Sequence, residues 1–154
     1  MTNSQITYSR SDRKLLKATG VFRYVVGLVF SEDAQRVLLL YKTAACVIPV
    51  LRDTWNGVGG KINRSEFPST AMRRECQEET GLDIPKWQII EVITDKKLPT
   101  VKETFRVYVF MAQGPIDGAV SNGEEVKTFS IDDAKELPLS PGLLYSLERA
   151  VSYL

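Results

Sequence analysis

Two patterns of hydrophobic and polar residues alternate along this chain of 154 residues, and they predict strands and helices in turn. Short apolar runs that are rich in Val, Ile, Phe and Leu and bounded by turn residues predict strands. Such runs lie at 21–30, 36–41, 87–94, 105–112 and 126–130. A short polar segment (31–35) separates the first two runs, which therefore predict a β-hairpin.

Three other segments have helical character. Helices are predicted over 68–80, 131–137 and 141–154. The last one carries an apolar stripe made by Leu143, Leu144, Leu147 and Val151. Strands that interleave with helices in this order predict an α/β fold with a mixed β-sheet between helices.

Particular residues mark the ends of the first predicted helix. Pro68 has a fixed φ that suits the first helical turn, and Gly81 suits a left-handed cap at the C-terminus. Ser65 and Glu66 are the candidates for the N-terminal cap. We therefore expect a helix with sharp ends, and its length determines which side chains share a face.

Length and composition indicate one ordinary globular domain. A chain of this length can bury a substantial core, and contents of 44% hydrophobic and 25% charged residues are typical of globular proteins. We expect a single domain over 20–154. The charged and polar residues 1–19 are expected to form an N-terminal arm or edge element.

The net charge and the lengths of the apolar segments indicate which partners and which cellular compartment to expect. A formal net charge of +1 provides no global field that would recruit a nucleic acid polymer or an anionic membrane. No apolar run is long enough to cross a bilayer, and the polar N-terminus lacks the core of a signal peptide. We therefore expect a cytoplasmic protein with a small-molecule partner.

The chain contains no histidine, which excludes several kinds of site. Ser-His-Asp and Cys-His nucleophiles and zinc sites with imidazole ligands are all ruled out. The two cysteines, Cys46 and Cys76, form no disulfide framework. Acid–base chemistry is therefore left to carboxylates, lysine, tyrosine or metal-bound water.

The strongest chemical signal is a group of carboxylates on the first predicted helix. Glu75, Glu78 and Glu79 stand at i, i+3 and i+4, a spacing that places all three on one face. Such crowded like charges repel one another, and a hard divalent cation with oxygen ligands relieves the repulsion. We expect Mg²⁺, and Mn²⁺ accepts the same ligands.

The segment 60–82 resembles the Nudix box, written Gly-x5-Glu-x7-Arg-Glu-(apolar)-x-Glu-Glu-x-Gly-(apolar). Its fixed positions are all filled here, by Gly60, Glu66, Arg74, Glu75, Glu78, Glu79 and Gly81. A chance match has a probability on the order of one in 10⁸ per starting position. The resemblance implies the Nudix fold, an α/β/α sandwich, and hydrolysis of a phosphoanhydride bond in a nucleoside diphosphate derivative.

The resemblance also implies roles for the residues of the box. The implied metal ligands are Glu75, Glu78, Glu79 and the backbone carbonyl of Gly60. Glu75 is in addition a candidate to orient or deprotonate the attacking water, although family members differ in which glutamate acts as the base. Glu66 and Arg74 are expected to form an ion pair that holds the loop onto the helix.

Charged residues outside the box are expected to complete the site. Several family members supply a further metal ligand or base from an acidic segment, and here Glu125 is favoured over Glu103. Lys42 ends the second predicted strand, where relatives place a basic residue against the substrate. Lys61 and Arg52 are the second choices for holding the phosphates.

The substrate class is less narrowly indicated than the chemistry. Residues 55–61 resemble the MutT-like branch, in which the asparagine equivalent to Asn56 contacts the base. The paired aspartates that read a purine in that branch have no match in 139–143. Pro99 falls about one residue from the place where ADP-ribose pyrophosphatases carry a proline.

We expect hydrolysis of a (d)NTP to a (d)NMP and pyrophosphate. One alternative is a pyrophosphatase that acts on ADP-ribose, a dinucleotide or a sugar nucleotide. Another is a non-catalytic nucleotide-binding module, which the intact set of glutamates disfavours. The partner expected is a small-molecule nucleotide, and the oligomeric state stays open, with a homodimer among the options.

Overall fold

The structure, a computed structural model, describes residues 21–46, 48–96 and 104–154. The expected N-terminal arm or edge element at 1–19, together with Pro99 and Glu103, lies outside the described residues. None of the helices in the described ranges is long and apolar enough to cross a membrane.

Seven strands and three α-helices are described. The strands are β1 (Val21–Ser31), β2 (Arg36–Lys42), β3 (Thr54–Asn56), β4 (Val58–Lys61), β5 (Gln88–Lys96), β6 (Thr104–Gly114) and β7 (Glu125–Ser130). The helices are α1 (Pro68–Thr80), α2 (Ile131–Lys135) and α3 (Leu143–Val151). All five strands predicted from apolar runs are present. The sequence did not predict β3 and β4, because these strands are short and β4 is rich in glycine.

The strands form one mixed sheet, as expected. Its main order is β3-β2-β1-β6-β5, with β4 paired to β1 and β7 paired to β2. β1 and β6 run parallel along their whole length, and the other pairs are antiparallel. The predicted hairpin of β1 and β2 is confirmed by the pairing of Val29 with Leu38. β1 therefore lies at the centre, where both of its faces are covered.

Helices cover both faces of the sheet, which confirms the predicted α/β/α sandwich. Against α1 the sheet buries a cluster that includes Val25, Leu38, Leu40, Met72 and Cys76. Against α2 and α3 it buries a second cluster that includes Leu28, Leu39, Ala134, Leu143 and Leu147. Because side chains alternate along a strand, neighbouring leucines of β2 contribute to opposite clusters.

Helix α1 has the predicted bounds, but its N-terminal cap differs from the prediction. Gly81 is left-handed with φ 75°, and its N–H donates to the Gln77 carbonyl, as a C-terminal cap requires. The N-cap residue is Phe67, which makes no side-chain cap hydrogen bond. Ser65 and Glu66 were therefore wrong as caps, because Ser65 adopts φ 65° and the Glu66 carboxylate binds Arg74.

Helix α3 is shorter than predicted at both ends. It begins at Leu143 because Gly142 has φ 82°, a left-handed conformation that the first helical turn cannot contain. Helix α2 also ends early, at Lys135. The segment between these two helices instead follows β3, where Leu139 forms a bridge with Trp55.

Candidate active site

Arg74 is the hub of the polar contacts at the start of the site. Its Nε and Nη2 atoms each donate to a different carboxylate oxygen of Glu66, both at a distance of 2.8 Å. Nη2 also donates to the Lys61 carbonyl at 3.0 Å. Nη1 donates to Glu75 at 2.9 Å and to Glu78 at 3.3 Å. The predicted Arg74–Glu66 ion pair is therefore present, and the same guanidinium also contacts two of the three helical glutamates.

The glycine-rich strand β4 brings its backbone against the acidic face of α1. A Cβ atom on Gly60 would lie 2.5 Å from the Glu75 carboxyl carbon, so only glycine leaves this carboxylate its space. Gly59 also has no room for a side chain, since a Cβ atom at this position would clash with the Val25 carbonyl oxygen of β1. Gly60 is therefore needed for close approach of β4 to helix α1, and Gly59 for close approach to the neighbouring strand β1.

Glu79 has a carboxylate oxygen that lacks a hydrogen-bond partner within the described part of the chain. Its Oε2 atom is buried and has no hydrogen-bond partner among the described residues. Burial raises the pKa of Glu79 to about 8, with Glu75 and Glu124 adding to the rise and Lys42 opposing it. Burial also raises the pKa of Glu75, against the charge of Arg74. A buried carboxylate without a partner is costly, so this position favours a bound cation or a proton.

Lys42 and Glu124 meet across the site although they are far apart in the sequence. Lys42 Nζ donates to both Glu124 carboxylate oxygens, at 2.9 and 3.0 Å. The structure does not bring the predicted ligand Glu125 to Lys42, because Glu125 is exposed in β7 and pairs with Tyr41 of β2. Successive side chains of an extended chain point in opposite directions, so it is Glu124 that faces Lys42 and Glu79.

We call Glu75, Glu78, Glu79 and Glu124 the acidic groove. Its donor atoms are hard carboxylate oxygens, which suit a divalent cation. The unpartnered Glu79 oxygen and the space that Gly60 leaves beside Glu75 fit such an ion as well.

No group of three or more acidic or thiol side chains within the described ranges is already arranged to hold an ion. Helical spacing alone therefore does not gather the glutamates of α1 around one point. Arg74 contacts Glu75 and Glu78 and would compete with a cation for them.

An apolar cavity of about 310 Å³ adjoins the acidic groove. Strand residues of the sheet form one wall, and the segment 140–143 with Ser146 forms another. The rings of Tyr24 and Phe105 both line it, with centroids 5.4 Å apart. Lys42 and Gly60 line it as well, so the cavity and the acidic groove are continuous.

The residues predicted to bind substrate divide into two groups. Lys42 and Asn56 line the apolar cavity. Lys61 and Arg52 make contacts elsewhere: Lys61 Nζ lies 5.9 Å from the centroid of the Phe22 ring, and Arg52 Nε donates to the Cys46 carbonyl at 2.7 Å.

Sequence reasoning missed Ser140, whose hydroxyl donates to Asn56 Oδ1 at 2.9 Å. It also passed over Glu124 in favour of its neighbour. The sequence offered only a weak signal for either residue, because a lone serine in a Pro-Gly segment and one of two adjacent glutamates are ordinary loop features. Their importance comes from contacts across 84 and 82 residues of the chain.

Comparison with known proteins agrees with this geometry. The profile of the NUDIX domain family matches residues 21–149. The Nudix hydrolase YvcI of Bacillus subtilis (strain 168) is 30% identical over 122 residues, which cover 77% of this chain and 72% of the relative.

Solved structures share the fold at lower identity. The MutT protein of Methanosarcina mazei Go1 has a TM-score of 0.70 at 20% identity, over 86% of this chain and 94% of its own. A mutT/nudix family protein of Listeria innocua has a TM-score of 0.68 at 23% identity, over 88% and 93%. The NUDIX domain of Shewanella oneidensis NrtR, complexed with ADP ribose, has a TM-score of 0.73 at 18% identity, over 96% and 94%.

Proposed function

This chain belongs to the NUDIX domain family, and from that premise we propose that it hydrolyses a nucleoside triphosphate to the monophosphate and pyrophosphate with the help of Mg²⁺. Family membership makes it a pyrophosphohydrolase of MutT-like type that acts on nucleotide derivatives, and Nudix hydrolases use divalent metal ions. The triphosphate, the identity of the ion and the roles of individual residues are proposed here, as is a single domain over 20–154.

The observation that carries the proposal is the position of the Glu79 carboxylate. Its Oε2 atom is buried without a partner among the described residues, near an apolar cavity large enough for a base, and Lys42 contributes to both regions. An apolar cavity that ends in a charged groove suits a nucleotide, whose base is apolar on its faces and whose phosphates are anionic.

The residues that would hold the cation are those of the acidic groove with the Gly60 carbonyl. Glu124 takes the place expected for Glu125, because Glu124 faces Lys42. The bound ion supplies charge neutralisation of the phosphates and a more acidic bound water. Glu75 is the candidate to orient or deprotonate the attacking water, and its carboxylate lies between Arg74 and the Gly60 backbone.

The remaining side chains bind and orient. Lys42 lines the cavity wall, and its ammonium is the group that we propose to contact the phosphates. Arg74 fixes the loop to the helix through Glu66 and the Lys61 carbonyl, and it holds Glu75 in place from one side.

Product analysis tests this proposal. The purified chain is incubated with a panel of nucleoside triphosphates and Mg²⁺, and the products are separated by ion-exchange chromatography. Monophosphate with pyrophosphate is the expected outcome, whereas diphosphate with inorganic phosphate contradicts it. Calorimetry with Mg²⁺ and Mn²⁺, without nucleotide, measures whether the acidic groove binds an ion at all, and Glu79→Gln is expected to weaken that binding.

A second candidate is hydrolysis of ADP-ribose or a related nucleotide. It is favoured by the similarity of this fold to a NUDIX domain that was solved with ADP ribose. Release of AMP with ribose phosphate, in preference to cleavage of any triphosphate, would select it. The non-catalytic alternative is set aside, since the chain is a member of a hydrolase family and has all the glutamates of the box.

A further inference from the structure

The segment 120–124, which we call the glutamate loop, is docked on the C-terminal end of helix α1. The Val120 N–H donates to the Thr80 carbonyl at 2.9 Å, and the Asn122 Nδ2 atom donates to the Glu78 carbonyl at 2.8 Å. The last carbonyls of an α-helix have no partner within the helix. The glutamate loop therefore supplies two of the donors that the end of α1 needs.

The contact of Asn122 with α1 has a single chemical assignment. A backbone carbonyl can only accept, so the group of Asn122 that faces the Glu78 carbonyl must be the amino group of the amide. In a longer helix this carbonyl would accept from the Leu82 N–H, which here donates to the Thr80 hydroxyl at 3.2 Å instead. Asn122 thus takes the place of a hydrogen bond that the helix loses where it ends.

A tight bend connects Asn122 to the carboxylate of the glutamate loop. Asn122 and Glu124 form a bridge on either side of Gly123, whose φ of 88° is left-handed. Beyond the bend, Lys42 Nζ donates to both carboxylate oxygens of Glu124. Glu124 also lies near enough to Glu79 for its charge to raise the pKa of that carboxyl. Glu124 is therefore held by α1 on one side, through Asn122, and by β2 on the other, through Lys42.

We propose that Asn122 is a positioning residue, which fixes the separation between Glu124 and the glutamates of α1 so that they share a divalent cation. The separation matters because Mg²⁺ requires its oxygen ligands at about 2.1 Å in near-ideal octahedral geometry. A residue that orients a ligand without touching the ion commonly changes metal affinity by about 10- to 100-fold. This inference deepens the proposed function and rests on it, because it takes Glu124 to be a ligand of the ion.

The first test measures binding of Mn²⁺ alone, without nucleotide, from the decrease in the electron paramagnetic resonance signal of the free ion. We expect Asn122→Ala to raise the Kd for Mn²⁺ by about tenfold. Gln77→Ala is the matched control, because Gln77 is another exposed carboxamide at the same end of α1 and its carbonyl is the group that accepts from the Gly81 N–H. This control should bind Mn²⁺ as the wild type does. An unchanged Kd in Asn122→Ala would contradict the proposal.

A double-variant cycle separates positioning of Glu124 from a general loosening of the helix end. If Asn122 acts through Glu124, its effect should vanish once Glu124 is no longer a ligand. In the Glu124→Gln background we therefore expect Asn122→Ala to raise the Kd for Mn²⁺ by less than about twofold. The same tenfold rise in both backgrounds would show that Asn122 acts by another route, and it would overturn the proposal.

Asn122→Asp provides a second variant in which the direction of the change is informative. It keeps the size of the side chain, but it replaces the amino donor with an oxygen and adds a negative charge. The added charge by itself would strengthen cation binding, whereas loss of the contact with α1 should weaken it. We expect weaker binding of Mn²⁺, in a protein whose circular dichroism matches that of the wild type. Tighter binding would contradict the positioning role.

These measurements keep the inference and the proposed function apart, because none of them depends on turnover. The expected pattern of Mn²⁺ affinities, together with failure to cleave any triphosphate, would support the role of Asn122 and contradict the proposed function alone. Additive effects in a protein that cleaves triphosphates would contradict the role of Asn122 alone. A wild type that takes up no Mn²⁺ would overturn both.

Discussion

The acidic groove and the apolar cavity adjoin each other but are built in opposite ways. In the acidic groove, four carboxylates share few positively charged partners. The Glu79 Oε2 atom has no hydrogen-bond partner among the described residues. In the cavity, the Asn56 Oδ1 atom is satisfied within the protein, since it accepts from the Gly57 N–H and from the Ser140 hydroxyl. A polar atom without a hydrogen-bond partner can gain one from a ligand. A polar atom that already has its partners within the protein keeps a fixed position when a ligand binds. The first region thus suits binding and chemistry, and the second suits selection.

The largest expected effect comes from removing the Glu79 carboxylate, whose Oε2 atom lacks a partner among the described residues. Glu79→Gln should keep the fold and reduce turnover by about 10³-fold or more with Mg²⁺ saturating, because placement of the ion supplies most of the catalysis. Steady-state kinetics measure the loss. Glu148→Gln, at an exposed position of α3, is the control and should behave as the wild type. Near-normal turnover in Glu79→Gln would remove this residue from the ligands.

The next effect comes from filling the space beside Glu75. Gly60→Ala places a methyl group 2.5 Å from the Glu75 carboxyl carbon, which forces the side chain or the strand to move. We expect turnover to fall by about 10²-fold, as misplacement of a reacting group by about an ångström does. The control is Gly118→Ala, whose Cβ would make an ordinary contact at 3.7 Å with Leu82. Equal activities of the two variants would contradict a role for the space at Gly60.

A smaller effect on stability is expected from Arg74→Lys. A lysine cannot reproduce the fork that binds Glu66 twice and reaches Glu75 and the Lys61 carbonyl. We expect the free energy of unfolding to fall by about 2 kcal/mol, measured by urea denaturation.

The matched control is Arg73→Lys on the same helix. Its partner Asp83 is about half exposed, so a loss of under about 1 kcal/mol is expected. If Arg73→Lys were the more damaging change, the structural role given to Arg74 would be wrong.

A separate effect, on stability alone, is expected when the pH of the metal-free protein is changed. Folding raises the pKa of Glu79 from 4.5 to about 8, mainly through burial. The folded state therefore holds this proton more tightly than the unfolded state. Its stabilising contribution is complete below pH 4.5, declines as the pH rises, and is lost above about pH 8.

Thermal unfolding in a chelating buffer between pH 5 and 9 measures this slope. Glu79→Gln should flatten the slope, because it replaces the titrating carboxylate. Added Mg²⁺ should flatten the slope of the wild type, because it gives the charged carboxylate a partner. Parallel slopes for the wild type and Glu79→Gln would show that burial of Glu79 does not govern the pH dependence.

Local sequence signals were enough to predict a large part of this molecule. Periodicity predicted five strands, a mixed sheet between helices and helix α1, and the glycine at its end predicted the left-handed cap at Gly81. These features depend on side chains within one or two turns of each other or on the alternation along a single strand. The Arg74–Glu66 ion pair was also foreseen, because its members are separated by a single loop and the start of one helix.

What the sequence by itself determined is therefore the fold class, the acidic helix and the family chemistry that its spacing indicates. Only the tertiary structure decided that Glu124 rather than Glu125 faces Lys42, that Gly60 makes room for Glu75, and that Ser140 contacts Asn56. These contacts depend on strand register and on how distant segments pair, and a shift of one residue turns a side chain to the opposite face.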